Sequence, residues 1–513
     1  MKKVLTSILF VSIFLSSCEY LDDFLVYPDE DSDGNTGALT FTKIGTLTNG
    51  SGDEGFAEIS AYDPKTKKLF IVNPTENEVS VWDISDPSSN KKLTSITDFG
   101  TTGAIPNSVD VYDGLLAVAL ENADKQALGN INIYDTGTQL LKTSYLAGSL
   151  PDMVAFSPDG KYLISANEGE PSDDYKNDPE GSITVIDLKN IRSTTLSFTA
   201  YNGTDIGNGF RVFGPDATFA QDVEPEYVAV SDDSKFAYVA LQENNGIAVV
   251  DLDALSIIDI FGLGTKDHLL PQNKLDASNR DGMAGNFKNW PVLGLYQPDA
   301  ITYVEVHGRG YLVSANEGDA RDYDGYSEEV RVEDLILDET AFPNATELQL
   351  EENLGRLKTT TANGDIDGDG DFDEIYAYGA RSFTIWDTHG NQIYDSGDEI
   401  GRRTFEINPG LFNNDEGEVD DRSDDKGAEP EAVTTLKIGD STILFVGLER
   451  TGGALVYDIT NPTAPEFLEW IFDAQDVATE GLLSIPAEES PTGENLLIIT
   501  NEVSNTVSIY EIK

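Results

Sequence analysis

The sequence predicts an all-β fold, a seven-bladed β-propeller with long loop insertions. Three observations predict it. A unit of two apolar strands joined by a turn recurs seven times, a third strand with a hydrophobic-acidic ending follows each unit, and Asp, Gly and Pro punctuate the turns. Four-stranded sheets arranged around a central channel are built from such units. A solenoid is the alternative, and the long variable insertions between units favour the closed ring.

The repeated units cover most of the chain. The clearest copies are residues 151–169, 224–244, 297–318 and 429–450, and weaker copies are 57–75, 107–122 and 480–503. The third strands end in VSVWDI, INIYD, ITVIDL, IAVVDL, FTIWD, ALVYDI and VSIYEI. Turns such as SPDGK at 157–161 mark hairpins between strands. The apolar segment FTKIGTLT at 41–48 is expected to pair with the last unit and close the ring.

The first residues predict export and anchoring. Lys2 and Lys3 precede an apolar run that ends in LSSC at Cys18, so residues 1–18 are expected to be a lipoprotein signal peptide that is cut before Cys18, the lipidation site. An ordinary signal peptide is the alternative. Cys18 is the one cysteine, so no intrachain disulfide is possible. We expect the protein to be lipid-anchored in the outer membrane of a bacterial cell envelope, facing the cell surface.

Two further segments follow the signal. Residues 19–40 are acidic and rich in Asp, Gly and Ser, which is typical of a flexible tether. Residues 41–513 form the expected propeller domain. Its insertions lie near 189–223, 262–296 and 319–374, and the last contains a helical pattern at 345–357. This insertion splits the fifth blade into inner strands near 299–316 and outer strands near 375–387.

Charge limits the partners. The chain has 33 Lys and Arg against 92 Asp and Glu, a formal net charge of -59. Such a chain is repelled by nucleic acid and by anionic membrane surfaces, and it attracts cations. We therefore expect divalent cations as partners and no nucleic acid. A solvated acidic surface accounts for most of the charge, but it does not explain why particular carboxylates cluster.

The segment DIDGDGDFDEIYAYG at 365–379 predicts a calcium loop. Its carboxylates stand at relative positions 1, 3, 5 and 9, and Gly370 permits a tight bend at position 6. The expected side-chain ligands are Asp365, Asp367, Asp369 and Asp373, with Asp371 contributing a backbone carbonyl. Tyr376 occupies the twelfth position, where an EF-hand has glutamate, and a strand follows at once. An acidic surface turn that binds nothing is the alternative.

A second set of acids recurs at fixed places in the repeated units. One acid stands at the start of the first strand and one at the end of the second, and antiparallel pairing puts both at the same end of a blade. The resulting ring is predicted to bind calcium through Asp152, Glu168, Glu226, Glu243, Asp299, Glu317, Glu431 and Glu449, and it extends to Glu58, Glu121, Glu480 and Glu502. The ring is incomplete at Asn107 and Pro74. The alternatives are acids that cap turns, pair with basic residues or stay protonated.

Several long strings resemble the choice-of-anchor I family. They include PDMVAFSPDGKYLISANEGEPSDDY (151–175), AQDVEPEYVAVS (220–231), ANEGDARDYDGYSEE (315–329), RSDDKGAEPEAV (422–433) and GLERTGGALVYDIT (447–460). The family resembles animal mesenchyme-specific cell surface glycoproteins that are linked to biomineralisation, and the likeness spans about residues 41–513. It implies an extracellular seven-bladed propeller with affinity for calcium. Some members carry phosphatase or phytase-like labels.

Two functions remain open from the sequence. The favoured one is a surface-anchored calcium-binding scaffold or adhesion module, with a mineral or matrix setting. The alternative is a calcium-dependent phosphoesterase of the alkaline phosphatase or phytase kind, in which ring carboxylates hold the metal that activates water. No nucleophile or base pattern names a catalytic residue. Four basic residues lie close in sequence to acidic positions: Arg321, Arg331, Lys426 and Arg450. We expect them to be counter-ions of these acids and not to hold an anionic substrate.

Overall fold

The computed structural model describes residues 39–513 except 51, 53, 54 and 416. The predicted signal peptide at 1–18, with Cys18, and nearly all of the predicted tether at 19–40 therefore lie outside the described residues. Thr40–Lys513 form one compact unit. Within the described part of the chain, no helix has the length and apolar character needed to cross a bilayer.

Seven four-stranded antiparallel sheets dominate this unit, and they confirm the predicted all-β fold. The strands of sheets 1 to 4 are Ser60–Asp63, Lys68–Asn73, Glu78–Asp83 and Lys91–Ile96; Ile105–Tyr112, Leu115–Glu121, Leu128–Asp135 and Leu141–Ser149; Pro151–Phe156, Tyr162–Asn167, Ser182–Asp187 and Arg192–Ser197; and Pro225–Val230, Phe236–Leu241, Gly246–Asp251 and Ser256–Gly262. The strands of sheets 5 and 6 are Ile301–Val306, Arg309–Asn316, Ser382–Asp387 and Gln392–Asp395; and Pro430–Ile438, Ser441–Leu448, Ala454–Asp458 and Glu466–Ile471.

Sheet 7 joins the two ends of the described chain. It contains Thr479–Ile485, Asn495–Asn501 and Thr506–Ile512, and its fourth strand is Phe41–Thr48. This strand pairs antiparallel with Thr506–Ile512, from Phe41 opposite Ile512 to Thr48 opposite Thr506. The pairing predicted for 41–48 is therefore confirmed.

The first strands of the sheets contact one another in cyclic order. Each first strand touches the first strand of the next sheet along the chain, and the first strand of sheet 7, Thr479–Ile485, touches that of sheet 1, Ser60–Asp63. Apolar side chains fill the spaces between neighbouring sheets, as Val185 and Val239 do between sheets 3 and 4. Second strands are consequently buried on both faces, as in Tyr162–Asn167, whereas fourth strands such as Arg192–Ser197 are polar and largely exposed.

The insertions build a smaller body beside sheets 4 and 5. Its five-stranded sheet contains Thr265–Asp267, Leu293–Leu295, Tyr376–Ala377, Lys358–Thr360 and Glu329–Arg331, and a two-stranded ribbon contains Asp322–Tyr323 and Tyr326–Ser327. A separate apolar cluster that includes Trp290, Leu335 and Leu354 is its core. The helices are Phe219–Asp222, Ala345–Leu348 and Glu399–Ile407, and the 3-10 turns are Pro87–Ser89, Thr199–Tyr201, Val332–Asp334 and Pro409–Leu411.

One local prediction was wrong and another was correct only in part. The helical pattern at 345–357 forms only the short helix Ala345–Leu348, because Leu354 and Leu357 pack into the insertion core through turns instead. The outer strands of sheet 5 were expected near 375–387. Ser382–Asp387 lies in this range, but Tyr376–Ala377 belongs to the five-stranded sheet, and the other outer strand, Gln392–Asp395, lies beyond it.

Candidate functional site

A central cavity of about 800 Å³ lies where the first strands of all seven sheets meet. Carboxylates from six of these sheets line it. Those at the starts of first strands are Glu58, Asp152, Asp299, Glu431 and Glu480, and those at or just beyond the ends of second strands are Glu121, Glu168, Glu170 and Glu502. A tenth acid, Asp110 in the first strand of sheet 2, also lines the cavity and accepts hydrogen bonds from Val111 N and Phe156 N, both at 2.7 Å. We call the other nine residues the cavity carboxylates. Sheet 2 has Asn107 at the place of the missing first-strand acid.

Strand pairing explains why these acids meet. In sheet 3, Pro151 at the start of the first strand pairs with Asn167 at the end of the second, so Asp152 and Glu168 emerge at the same end of the sheet. Sheet 6 repeats the arrangement, with Pro430 opposite Leu448. Proline at the first position of a strand is compatible with this pairing, since it removes only a terminal hydrogen-bond donor.

The cavity carboxylates hold protons more tightly than free acids do. Burial, then the charges of Glu480, Glu502 and Asp152, raise the pKa of Glu58 to about 9. Burial, then Glu170 and Glu121, raise the pKa of Asp152 to about 7. Burial, then Glu502, raise that of Glu480 to about 7. Since Glu58, Asp152 and Glu480 belong to sheets 1, 3 and 7, the repulsion acts across the cavity from one sheet to another.

One basic residue lines the cavity among the described residues, and it is Lys125. Its Nζ lies 3.7 Å from Glu170 Oε2, and more than half of its side chain is exposed. The nearby charges of Glu170, Glu121 and Glu168 raise the pKa of Lys125 against the opposing effect of burial. The sequence analysis did not single out this residue, because its partners Glu168 and Glu170 lie on a different sheet. A single lysine leaves the cavity strongly acidic.

Four predicted ring acids lie outside the cavity lining: Glu226, Glu243, Glu317 and Glu449. Glu226 and Glu243 remain close to it. Burial, then the charges of Glu243, Glu168 and Asp299, raise the pKa of Glu226 well above its usual value. One buried carboxylate oxygen on each of Glu226, Glu243 and Glu431 has no hydrogen-bond partner within the described part of the chain. Such oxygens are costly unless a proton or a cation satisfies them.

Glu317 and Glu449 belong instead to an ion-pair cluster with Glu429, in which the carboxylate oxygens lie within 4.8 Å of one another. Lys426 contacts Glu317 and lies 3.4 Å from Glu429 Oε2. Arg450 Nη2 lies 2.8 Å from Glu449 Oε1. Despite burial, Lys426, Arg422 and Arg450 lower the pKa of Glu429 to about 2. These cations compensate Glu429, whereas burial and the neighbouring acids still raise the pKa of Glu317 and raise that of Glu449 to about 9.

A repeated Glu-Pro-Glu string carries a signal that the sequence analysis missed. At 224–226 and at 429–431, the second glutamate is the predicted ring acid. In both copies the first glutamate is buried beside arginine: Glu224 Oε1 lies 3.0 Å from Arg321 Nη2, and Glu429 Oε1 accepts a hydrogen bond from Arg422 Nε at 2.6 Å. The string thus places one acid in an ion pair and the next at or near the cavity.

All four basic residues that were considered for an anion-binding site form ion pairs with carboxylates instead. Arg321 contacts Asp222 and Glu224, Arg331 contacts Asp424, Lys426 contacts Glu317, and Arg450 contacts Glu449. The counter-ion interpretation of these residues is therefore the one that the geometry supports.

The acidic loop at 365–373 is exposed and brings three of its carboxylates together. Oxygens of Asp365, Asp367 and Asp373 lie within 4.8 Å of one another, while Asp369 and Asp371 are outside this group. The two oxygens of Asp365 accept hydrogen bonds from the backbone of Gly368 at 2.7 Å and Gly370 at 3.1 Å. The charge of Asp369, more than any other cause, raises the pKa of Asp367.

A family model described as the choice-of-anchor I domain matches residues 58–462. The chain belongs to the choice-of-anchor I family. The resemblance predicted from the sequence is confirmed, and membership indicates a cell-surface or extracellular protein. The choice-of-anchor I match begins at Glu58 and includes Asp152, Asp299 and Glu431, whereas Glu480 and Glu502 line the same cavity from beyond its end.

Known proteins resemble this choice-of-anchor I chain to different degrees. Gigasin-3a of Magallana gigas is 31% identical over 192 residues, which are 32% of this chain and 67% of that protein. The structure of Kuenenia stuttgartiensis hydrazine synthase has a TM-score of 0.48 at 13% identity and covers 90% of this chain and 97% of its own. The WD40 domain of Toxoplasma gondii coronin has a TM-score of 0.44 at 9% identity, with coverages of 93% and 86%. Neither TM-score reaches 0.5, so we draw no functional conclusion from these two structures.

Proposed function

We propose that this choice-of-anchor I protein is a lipid-anchored surface protein that binds calcium and acts as a binding, scaffold or adhesion module. Its domain is a closed seven-bladed β-propeller. The cyclic contacts between first strands and the pairing of Phe41–Thr48 with Thr506–Ile512 support the closed ring. In this arrangement the central cavity is the channel of the propeller, and each sheet is one blade.

The proposal rests on the convergence of ten acidic residues, the nine cavity carboxylates and Asp110, on one cavity whose described lining contains a single basic residue, Lys125. Two like charges about 4 Å apart repel by about 1 kcal/mol even in bulk water, and by more where water is excluded. Unless the acids stay protonated, cations must offset this repulsion. Calcium fits this site better than zinc or copper, because it accepts six to eight oxygen ligands with variable geometry.

The loop at 365–373 is a second calcium site in this proposal. Asp365, Asp367 and Asp373 supply converging oxygens, and the left-handed backbone at Gly368 and Gly370, with φ of 78° and 98°, allows the loop to bend around an ion. Its position on an exposed insertion makes it independent of the cavity.

Isothermal titration calorimetry tests calcium binding at the cavity. The double variant Asp299→Asn, Glu480→Gln removes two cavity carboxylates while it preserves side-chain volume, and it should lower the calcium stoichiometry or weaken binding by at least about tenfold. Glu488→Gln, at an exposed residue outside the cavity lining, is the matched control and should titrate like the unaltered protein. Identical isotherms for all three proteins would contradict a calcium site in the cavity.

A calcium-dependent phosphoesterase is the second candidate, and Lys125 favours it. An ammonium group beside several carboxylates could bind a phosphate that also contacts a bound metal. The test is turnover of p-nitrophenyl phosphate and bis(p-nitrophenyl) phosphate with calcium and then with chelator. Calcium-dependent turnover that Lys125→Met abolishes would favour the enzyme, and absence of turnover with both esters would favour the binding module.

A further inference from the structure

A second large groove, of about 700 Å³, lies between sheets 4 and 5 and the five-stranded insertion sheet. It shares no lining residue with the central cavity. The loop around Asn208 forms one wall, and the turn that carries Asn391 and Gln392 in sheet 5 forms another. Tyr376, from the insertion sheet, presents a half-buried ring.

The groove differs chemically from the rest of the molecule. No Asp, Glu, Lys or Arg is among the described residues that line it, although the chain has 92 acidic residues and a net charge of -59. Its polar side chains are amides and hydroxyls instead. A surface with no formal charge in so acidic a protein is suited to an uncharged ligand.

Hydrogen bonds donated by the side-chain nitrogen atoms fix the orientation of three amides in the groove. Asn208 Nδ2 donates to Gly262 O at 2.7 Å, Asn391 Nδ2 donates to Asp387 Oδ2 at 2.9 Å, and Gln392 Nε2 donates to the Tyr296 hydroxyl at 2.6 Å. No hydrogen bond within the described part of the chain reaches the side-chain carbonyl oxygens of these three residues. They are hydrogen-bond acceptors available to a ligand.

Asn363 adds a fourth oxygen of the same kind. Its Oδ1 atom is buried and has no hydrogen-bond partner within the described residues. A buried amide oxygen without a partner is costly, and a ligand hydroxyl in the groove would satisfy it. At this wall the backbones of Gly209 and Gly264 pack closely, since a Cβ at Gly209 would meet the Gly264 backbone at 3.1 Å.

We propose that this groove binds a neutral oligosaccharide. Sugar hydroxyls are the donors that four amide oxygens require, and the ring of Tyr376 offers an apolar face to a pyranose. The strong negative charge of the chain disfavours acidic glycans. Because no carboxylate is among the described residues that line the groove, binding does not depend on calcium and is independent of the proposed cation site.

Saturation-transfer difference NMR on the full domain tests this site with cellohexaose, maltohexaose and mannohexaose, each with EDTA present. At least one of the three should receive saturation, and Gln392→Ala and Asn391→Ala should each weaken its binding at least about fivefold. Both residues are exposed, so these variants are expected to fold. Gln475→Ala, at an exposed glutamine outside the groove, is the matched control.

Three results would overturn the proposal: no transfer to any of the three sugars in EDTA, equal affinities of the groove variants and the control, or tighter binding of oligogalacturonate than of the neutral sugars. Displacement of the bound sugar by a neutral Gly-Ser hexapeptide at equal concentration would also overturn it, since the groove would then select extended peptide.

Discussion

Arg321 Nη1 lies 2.6 Å from Asp222 Oδ1, and both side chains are almost completely buried. Arg321 also lies 3.0 Å from Glu224, and its guanidinium stacks 4.5 Å from the ring of Phe213. These contacts connect the insertion between the second and third strands of sheet 5 to the short helix Phe219–Asp222 that precedes sheet 4. The insertions are therefore held to the sheets by buried charge as well as by apolar packing.

Removal of this guanidinium should be strongly destabilising. Arg321→Ala leaves Asp222 and Glu224 buried without their cation, and loss of one partner of a buried pair costs about 3–5 kcal/mol of the free energy of unfolding. Urea denaturation measures the change. The matched control is Arg309→Ala, at an exposed arginine, which should change the free energy by less than about 0.5 kcal/mol. Equal stabilities of the two variants would show that the buried pair does not hold the insertion.

The cavity carboxylates make stability depend on pH when divalent cations are absent. The pKa of Glu58 is raised to about 9, and those of Asp152 and Glu480 to about 7, so the folded state binds more protons than the unfolded state. The free energy of unfolding should therefore fall as pH rises from about 5 to about 9, by up to about 1.4 kcal/mol per pH unit for each group. Denaturation in EDTA at several pH values measures this. Glu58→Gln should flatten the curve, and a curve that rises over this window would contradict the assignment.

Lys125 should oppose calcium binding. Lys125→Met removes the one positive charge that faces the cavity carboxylates among the described lining residues, so calcium affinity should increase. The side chain is more than half exposed and its charge is screened by water, so we expect an increase of about two- to fivefold. Lys189→Met, at an exposed lysine outside the cavity, is the control for net charge. Weaker calcium binding by Lys125→Met alone would indicate that the lysine organises the site.

The repeated pattern predicted most of the fold, because each unit contains both the apolar alternation of its strands and the turn residues that join them. It also predicted the pairing of Phe41–Thr48 with the last sheet and the convergence of Asp152, Glu168 and Asp299 on one cavity. Counter-ions were expected from the basic residues near these acids, but the pattern did not separate the acids that they contact from those that line the cavity. Glu317 and Glu449 have the same position in the repeated unit as Glu168. Arg450 directly follows Glu449 in sequence, whereas Lys426 reaches Glu317 through a contact that only the folded chain creates.

The insertions were the least predictable part of the fold. Residues 345–357 have helical spacing, yet packing of Leu354 and Leu357 against the insertion core overrides this local preference after Leu348. Tyr376–Ala377 was assigned to sheet 5 by proximity in sequence, although its partners Leu293–Leu295 and Lys358–Thr360 lie in other insertions.

The anchoring prediction concerns Cys18, which lies outside the described residues. Cys18→Ala should release the protein from the membrane fraction of cells, because the residue that would be lipidated is absent. Fractionation followed by detergent extraction measures the distribution. A variant that stays in the membrane fraction as the unaltered protein does would contradict lipid anchoring through this cysteine.

The thermal stability of a loop-deficient variant shows whether the cavity carboxylates bind calcium. The triple variant Asp365→Asn, Asp367→Asn, Asp373→Asn removes the three converging loop carboxylates and leaves the cavity intact. A ligand that binds only the folded state stabilises it by about 2.7 kcal/mol at a hundredfold excess over the dissociation constant. Calcium should still raise the melting temperature of this variant, and magnesium at equal ionic strength should raise it less. A melting temperature that calcium no longer changes would contradict calcium binding at the cavity.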